Sequence, residues 1–538
     1  MILLLPIGLL LVASLAILIL EQLRPKFGIS WLIAAGASIA SWLTIFILRL
    51  RLPTTLNIIS WETTSLNLIG QFTLLLDYDA WPYVLSLITI CLAVILTDAA
   101  RTRYNTTPLS WAASMGITAM GLFALQSGTS LMLMVTWVMV DLIELLYLFR
   151  LKNVDGSIGR AVLSYGVRSA STLLLLLAAL VGQRTAESFS LAAIPQNAAL
   201  LYLLAAGLRL GVLPLNLPLL QEPDLRRGAG NLIRLAPVAS SLVLLARLPD
   251  YPLGINLPGW ASFFQALLAV AALYASLRWV SAEDEIKGRP FWIIGWSALA
   301  TACVLNGAAS ASLAWGASLL LPGSLLFLYY PRVQRMNFLL FIGLIGIVGL
   351  PFTPLASGWF GLVADGVTFW TFLFVLAHAF LVLGYLNRAF QPGGEAGALE
   401  SWARLVYPLG LILTIQAMAA LGLIGWPGSL TIGTWWLGMI STILVIGVMF
   451  IIQKLGGRSP YMHLPSSSRL SKFLNWLLPR LEPIFRLEWL YQLLWKIYTL
   501  IGKILKGFSS ILESEGGMLW TILLLVLLIS LLTTAGAN

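Results

Sequence analysis

The chain has 538 residues, of which 59% are hydrophobic and only 10% are charged. Soluble domains have roughly 45–50% apolar and about 25% charged residues, so this composition excludes a soluble globular protein and indicates a chain with lipid as its solvent. The net charge of +10 does not indicate a nucleic-acid partner, because the basic residues are scattered over short loops and are not gathered on one soluble face.

The cysteine and histidine content argues against a disulfide framework and against a metal centre. Cys91 and Cys303 lie inside apolar runs far apart in sequence, and the two histidines are His378 and His463. The sequence shows no nucleophile and base pair, no metal-ligand cluster and no phosphate-binding loop. We therefore expect no cofactor and no catalytic chemistry of the chain's own, so that any redox cofactor would belong to partners.

Apolar runs of about 20 residues, the length that a membrane-crossing helix needs, recur along the whole chain. The first run lacks the basic start and the cleavage site of a signal peptide, so we interpret it as a span. The predicted spans are 2–20, 29–48, 82–99, 109–127, 130–150, 161–182, 198–216, 235–249, 258–280, 291–309, 313–330, 337–360, 366–387, 403–425, 432–453 and 518–534. The sequence predicts an all-α, polytopic membrane protein of about 16 transmembrane helices.

The charges of the loops predict the topology. Lysine and arginine occur in alternate loops, and the opposite loops are nearly uncharged or acidic, as at Asp77, Asp79 and Asp365. Because cytoplasmic loops are enriched in basic residues, we expect a multi-pass protein of the bacterial cytoplasmic membrane with its N-terminus outside. Arg49 and Arg51 are the exception. The loop residues predicted to be cytoplasmic are Arg24, Lys26, Arg101, Arg103, Arg150, Lys152, Arg160, Arg226, Arg227, Lys287, Arg289, Arg332, Arg335, Lys454 and Arg458.

Two segments outside the predicted spans have patterns of their own. Residues 52–81 alternate polar and apolar side chains, which predicts an extracytoplasmic hairpin. Residues 466–512 are amphipathic and basic, which predicts a lateral helix along the cytoplasmic membrane surface, kinked or broken near Pro479 and Pro483. The pattern fits packing on the chain's own cytoplasmic face as well as it fits a clamp on a partner.

Five ionisable residues lie near the centres of predicted spans, where a charge costs about 2.5–3.5 kcal/mol even on the lenient insertion scale. They are Asp141 and Glu144 in the fifth span, Arg168 in the sixth, Arg209 in the seventh and His378 in the thirteenth. The three-residue spacing of Asp141 and Glu144 puts both carboxylates on one helix face. Arg247 lies near a span end, from which its long side chain could reach the interface.

Two interpretations of these charges remain open. In the structural one, the carboxylates pair with Arg168 and Arg209 across neighbouring helices and hold a bundle together. In the functional one, the charged groups flank a hydrated path for protons or ions, with the carboxylates as proton carriers and arginine as a fixed charge. His378, on an otherwise apolar face, also fits a core histidine whose hydrogen bonds are satisfied.

Glycine and proline interrupt two spans in a similar way, at Pro214 in the seventh and at Gly349 and Pro351 in the twelfth. A broken span is tolerated only where protein or water satisfies the freed backbone groups, and paired breaks indicate an inverted repeat with a path at the breaks. Pro214 and Pro351 are 137 residues apart, the length of about five spans. The predicted units are 1–108 with the hairpin, the inverted five-helix repeats 109–250 and 251–390, two spans in 391–465, the lateral helix 466–512 and the last span 513–538.

In their order, these features resemble the antiporter-like membrane subunits of respiratory complex I, membrane-bound hydrogenases and Mrp-type cation antiporters. Asp141, in Val-Asp-Leu-Ile-Glu-Leu, matches the family's fifth-span acidic residue, and Arg209, Pro214 and Asn216 stand where the family has Lys, Pro and His. The segments Leu76-Asp-Tyr-Asp-Ala-Trp-Pro, Ala236-Pro-Val-Ala-Ser-Ser-Leu and Gly349-Leu-Pro are similar to further family motifs. The resemblance covers about residues 70–390, and the overall organisation is most similar to the distal complex I subunit with its lateral helix.

The resemblance implies a proton- or cation-translocating membrane subunit with other membrane subunits as partners, possible membership of an NADH:quinone oxidoreductase-type translocase, and an ion pathway through Asp141, Glu144, Arg168, Arg209, Asn216, Arg247 and His378. The chain departs from the family because all eight lysines lie in loops or the tail, and a guanidinium does not release a proton near neutral pH. The interior of the second repeat also lacks the family's usual histidine between Ser310 and Pro331. A divergent subunit with a reduced path, a non-conducting structural subunit and an independent secondary transporter therefore all remain open.

Overall fold

The computed structural model describes residues 1–23, 29–63, 68–98, 107–150, 157–183, 190–217, 227–250, 259–329, 336–389, 391, 401–456, 469–513 and 517–535. The described chain is helical apart from one two-stranded hairpin. It divides into two compact units, Met1–Phe473 and Leu474–Asn538. The first unit contains the predicted intramembrane charges and both predicted helix breaks.

Apolar segments of the chain form helices in the predicted order. The elements up to residue 456 are α1 (Leu4–Leu23), α2 (Ser30–Leu48), β1 (Thr54–Thr63), β2 (Leu68–Leu76), α3 (Trp81–Asp98), α4 (Pro108–Leu125), α5 (Ser130–Arg150), α6 (Ser157–Gln183), α7 (Gln196–Leu210), α8 (Arg227–Ala246), α9 (Trp260–Ser281), α10 (Glu285–Leu305), α11 (Ser312–Leu328), α12 (Asn337–Val348), α13 (Pro354–Leu362), α14 (Phe369–Ala389), α15 (Ser401–Ile424) and α16 (Trp435–Gly456). They are followed by α17 (Arg469–Phe485), α18 (Glu488–Glu513) and α19 (Gly517–Ala535).

The polytopic helical fold is confirmed, and three predicted boundaries are corrected. Among the described residues, 11 helices are long and apolar enough to cross a membrane, and every predicted span overlaps a helix. Helix α7 ends at Leu210 and not at 216, α8 begins at Arg227 and not at 235, and the twelfth predicted span is split into α12 and α13. The total of 16 spans stays a prediction.

Helices α3, α8 and α11 form the centre of the first unit. They contact one another, and their residues are buried along almost their whole length. Only about a third of the most apolar stretch of α1, α2 and α6 is buried, which suits contact with lipid or with another membrane protein. The hydroxyl side chains of the central helix α3 are satisfied within that helix. Ser86, Thr89 and Thr97 each donate to a backbone carbonyl one turn earlier, so these hydroxyls need no partner on another helix.

The two predicted repeats share a pattern of helix contacts and a helix break. In each group of five, α4–α8 and α9–α14 with α12 and α13 counted together, consecutive helices touch and the first and last helices touch. Helix α7 ends at Gly211 with φ 75°, and α12 ends at Gly349 with φ 73°, a left-handed conformation that glycine adopts readily. The equivalent positions of these glycines support the repeat interpretation. The first break lies at Gly211, three residues before Pro214, where the sequence predicted it.

Strands β1 and β2 form the predicted antiparallel hairpin, which is fixed to the helices by Arg247. The guanidinium of Arg247 donates to Asp77 Oδ2 at 3.0 Å, to the Ser127 carbonyl at 2.6 Å and to the Leu75 carbonyl at 3.2 Å. The Leu75 N–H also donates to the Gln126 carbonyl at 2.7 Å. Arg247 is thus a buried anchor of the hairpin and does not reach toward an interface as its position near a span end suggested.

The first helix of the C-terminal tail continues past the two prolines near which a kink or break was predicted. Helix α17 contains both Pro479 and Pro483, and the chain turns only at Leu487, which has φ 54°. Proline at these positions removes helical N–H donors without ending the helix, whereas a left-handed residue cannot continue it. In α18, Lys496, Lys503 and Lys506 recur on one face of an otherwise apolar helix, in agreement with the predicted amphipathic pattern.

Some predictions concern residues outside the described part of the chain, and the predicted membrane topology therefore stays a prediction. They include His463, the linker 465–468 and the loop residues Arg24, Lys26, Arg101, Arg103, Lys152, Arg226, Arg332, Arg335 and Arg458.

Asp79, next to the hairpin anchor, predicts a pH dependence of stability. Burial, with added repulsion from Asp77 and Asp250 and opposed by Arg247, raises the pKa of its carboxyl from 3.8 to about 6. The folded state binds this proton more tightly than the unfolded state does. The contribution of Asp79 to the free energy of unfolding is therefore fully favourable below about pH 4 and is lost as the pH rises through 6. The loss is up to about 3 kcal/mol, at about 1.4 kcal/mol per pKa unit.

We therefore expect Asp79→Asn to raise the melting temperature at pH 7 and to flatten its pH dependence between pH 4 and 7. Thermal unfolding in detergent at several pH values measures this, with Asp365→Asn at an exposed loop position as the matched control. Parallel pH profiles for the wild type and Asp79→Asn would contradict the assignment.

Candidate ion-pair cluster

Helix α5 carries the two acidic residues of the site on one buried face. Asp141 is 4% exposed and Glu144 is 3% exposed, one helical turn apart. The sequence predicts this shared face from their spacing. Two ionised carboxylates this deeply buried need cationic partners, because an unpaired charge in a low-dielectric interior carries a large desolvation penalty.

Arg209 from α7 is the main partner of Asp141. Its Nη1 lies 2.8 Å from Asp141 Oδ2 and its Nη2 lies 2.7 Å from Asp141 Oδ1, so the pair is bidentate. The side chain of Arg209 has no exposed surface, and its guanidinium lies 4.5 Å from the ring centroid of Trp137. This geometry fixes the Asp141 carboxylate in position, and the indole adds a cation–π contact.

Arg168 from α6 links the two carboxylates. Its Nη1 lies 3.3 Å from Asp141 Oδ1 and also forms an ion pair with Glu144. A single nitrogen therefore contacts both acids, and a change of charge on either one alters how strongly Arg168 is held by the other.

Arg234 from α8 is the member of the site that sequence reasoning missed. Its Nη1 lies 3.8 Å from Glu144 Oε1. The residue precedes the predicted eighth span by one position, but α8 extends back to Arg227 and buries Arg234. A predicted helix that began before the small residues 228–230 would have included Arg234. Four helices thus contribute to one five-residue cluster, Asp141, Glu144, Arg168, Arg209 and Arg234.

The cluster adjoins a polar cavity of about 90 Å³. Arg168, Arg209, Arg234 and Asn216 line it, together with residues of the α7 end and of α10. This volume has room for several water molecules, and Asn216 Oδ1 and Arg209 Nε are buried polar atoms without a hydrogen-bond partner among the described residues. The turn after Gly211, in which the Asn216 N–H donates to the Gly211 carbonyl at 3.0 Å, brings Asn216 to this place.

A smaller cavity of about 10 Å³ lies on the carboxylate side of Arg168. Asp141, Glu144, Ser164 and Tyr165 line it, and both Ser164 and Arg168 also line the larger cavity. Arg168 therefore lines both cavities.

Two predicted pathway residues lie apart from the cluster in the described structure. Arg247 binds the hairpin, as described above. His378 in α14 is 1% exposed, and its Nε2 lies 2.8 Å from the Ile347 carbonyl while its Nδ1 lies 2.7 Å from Ser441 Oγ. Because a carbonyl only accepts, Nε2 carries the hydrogen. Both ring nitrogens are thus used within the protein, as in a core histidine whose hydrogen bonds are satisfied.

The second helix break explains the bond to Ile347. In a continuous helix the Ile347 carbonyl would accept from the backbone N–H four residues later, and that residue is Pro351, which has none. His378 supplies the missing donor. The first break is different, since Pro214 leaves the Leu210 carbonyl without its helical donor and Leu210 lines the polar cavity.

Fully buried tryptophans pack in the interior of the second repeat, which also contains the buried residues Glu285, Arg289 and Arg388. Neighbouring rings in the series Trp279, Trp292, Trp296, Trp315 and Trp359 have centroid separations of 5.3, 5.1, 5.7 and 5.0 Å. The His378 ring lies 5.0 Å from Trp359 in an edge-to-face contact. Such close packing leaves little room for water along this series.

The chemistry available at the cluster is proton exchange at carboxylates beside fixed positive charges. Arginine stays protonated at physiological pH, so only Asp141 and Glu144 can carry a proton here. Among the described residues, no group of three or more His, Cys, Asp and Glu side chains is placed to hold a metal ion.

Comparisons with known proteins show the fold. The chain is similar to a chain in the structure of the Mrp complex from Dietzia sp. DQ12-45-1b, with a TM-score of 0.69 and 15% identity, covering 100% of this chain but only 63% of that one. It is also similar to a chain of the membrane-bound sulfane sulfur reductase, an archaeal respiratory membrane complex, with a TM-score of 0.64 and 15% identity, covering 98% of this chain and 100% of that one. No family model and no curated protein matches the sequence. The fold that the sequence resemblance implies is confirmed.

The bond between His378 and Ile347 predicts a role in stability. We expect His378→Leu to lower the free energy of unfolding by about 1–3 kcal/mol, because it leaves a buried carbonyl without a donor. His378→Gln, whose amide can still donate, should lose less. Thermal unfolding of the two purified variants measures the difference, and equal melting temperatures for the wild type and His378→Leu would contradict this role.

Proposed function

We propose that the chain is a proton- or cation-translocating membrane subunit of a multi-subunit complex of the Mrp or complex I type, and that ion movement runs through the five-residue cluster. The observation that carries this proposal is the buried, bidentate Asp141–Arg209 pair beside a polar cavity. The likeness in fold to chains of the Mrp complex and of an archaeal respiratory membrane complex supports it. Redox or binding chemistry would come from partner subunits.

In this proposal Asp141 and Glu144 exchange the proton and the arginines do not. Protonation of Glu144 removes a negative charge from Arg168, whose nitrogen then interacts more strongly with Asp141, and the reverse holds when Asp141 is protonated. A displaced Arg168 connects the two cavities on either side of it. The two carboxylates thus form a coupled pair, with Arg168 as the movable link.

The path is confined to the first repeat. In the second repeat, His378 has both nitrogens bound within the protein and the surrounding space is occupied by tryptophan rings. This arrangement favours a reduced path, or the remnant of one, over the two-repeat path that the family resemblance implies.

The second candidate is a non-conducting structural subunit. The specific observation in its favour is that the cluster joins four helices, α5 to α8, through ion pairs between side chains that are mostly buried. The two candidates predict different results when Asp141 and its partner Arg209 are both replaced. Translocation is lost if the cluster conducts ions and survives in the assembled complex if the cluster is only structural.

Asp141→Asn tests the proposal. We expect proton or cation translocation by the complex in sealed vesicles to fall to background, because a carboxamide neither takes up nor releases a proton near neutral pH. The free energy of unfolding should fall by about 3–5 kcal/mol, since Arg209 is left buried without its counter-ion. The double variant Asp141→Asn with Arg209→Gln should recover part of this stability and none of the translocation.

The matched control is Asp77→Asn, which breaks another arginine–aspartate pair, the hairpin anchor at Arg247. It should lower stability and leave the rate per assembled complex unchanged. Full translocation by an assembled complex with the double variant would contradict the conduction proposal and would favour the structural one.

A further inference from the structure

A large apolar cavity lies at the second helix break, away from the charged cluster. It measures about 370 Å³ and is lined by residues of α11, α12, α13 and α15. An apolar cavity of only ~150 Å³ suffices to bind a benzene-sized guest, so this one has room for a longer hydrocarbon. Neither the proposed ion path nor the packing of the tryptophan series uses it.

The side chains that line the cavity offer mainly hydrocarbon. Among the described residues, the polar side chains that line it are Ser318 and Thr353. Ser318 Oγ donates to the Gly346 carbonyl at 2.9 Å, and Thr353 Oγ1 donates to the Leu350 carbonyl at 2.6 Å. A ligand headgroup that needs hydrogen bonds, such as a quinone ring, therefore finds no side-chain donor among the described residues here, whereas a plain alkyl chain fits.

The cavity opens onto the outer apolar surface of the protein. Its rim includes Ile345, Phe352 and Leu423, which are 56%, 64% and 69% exposed, whereas its floor includes Ala317 and Thr353, which are 7% and 8% exposed. The rim continues into exposed apolar side chains on α12 and on α15, one of the helices able to cross a membrane. In a bilayer such a surface meets lipid hydrocarbon.

Backbone strain supports a function for this cavity. Phe352 has φ 60°, a left-handed conformation that costs a residue with a side chain free energy. Strain of this kind persists where the surroundings enforce it and is frequent at ligand sites. Glycine would relieve the strain, but it would also remove the aromatic ring from the rim.

We propose that this cavity binds one acyl chain of a membrane phospholipid, which enters from the lipid-facing side past Ile345 and Phe352. The continuity of the rim with the exposed apolar surface identifies the occupant as bilayer hydrocarbon. The bound chain fills the gap that the break between α12 and α13 opens beside α15. This inference is independent of the proposed ion path.

A phospholipid with a photoreactive diazirine on its acyl chain tests the proposal, with the whole complex in lipid nanodiscs and the cross-linked residues mapped by peptide mass spectrometry. We expect cross-links at the floor residues Ala317 and Thr353, which a lipid that stays on the surface does not reach. Ile345→Trp narrows the mouth and should reduce floor labelling by about tenfold, the effect of excluding roughly two methylene groups.

Phe341→Trp is the matched control, since Phe341 is exposed on the same helix but does not line the cavity, and it should leave floor labelling unchanged. Met418→Ala enlarges the cavity and should increase floor labelling, which keeps the test valid if Ile345→Trp does not fold. Three results would each overturn the proposal: an unlabelled floor in the wild type, equal floor labelling in Ile345→Trp, or cross-linking of residue 345 to a partner protein when a photoreactive diazirine amino acid is placed at that position.

Discussion

The buried pair of Asp141 and Arg209 is the interaction on which the rest of the first repeat depends. In a chain whose solvent is lipid, a carboxylate at this depth exists only if a cation is held against it, and Arg209 does so with two hydrogen bonds and no exposed surface. Arg168 and Arg234 then extend the network to Glu144. The same constraint that holds α5 to α8 together also concentrates the exchangeable protons of the span interiors at one place.

The helix breaks of the two repeats have different surroundings. In the first, the break at Gly211 leads to a polar cavity lined by arginines and Asn216. In the second, His378 binds the carbonyl that Pro351 leaves without a donor, and tryptophan rings pack around the imidazole. Equivalent backbone breaks thus give one charged site beside a cavity with room for water and one site packed with aromatic rings. A lipid chain at the second break, as inferred above, would exclude water from that region still further.

The sequence predicts those features that depend on local pattern, and it fails where distant partners decide. Apolar runs predict the helices, and the spacing of Asp141 and Glu144 predicts their shared face. Arg234 was missed because the apolar window began one residue later, although packing extends α8 back through small residues. The anchor role of Arg247 depends on Asp77, 170 residues away, and the role of His378 depends on a carbonyl freed by Pro351. Neither partner is visible in a local pattern.

The central claim is that the first break is hydrated and the second is dry. Hydroxyl-radical footprinting of the complex in a bilayer, in which radicals are generated from bound water, measures this difference directly. The account predicts labelling of Pro237 and Ile294, which line the polar cavity, and protection of Trp315 and Trp359 in the second repeat. Labelled Trp315 and Trp359 together with an unlabelled polar cavity would contradict it.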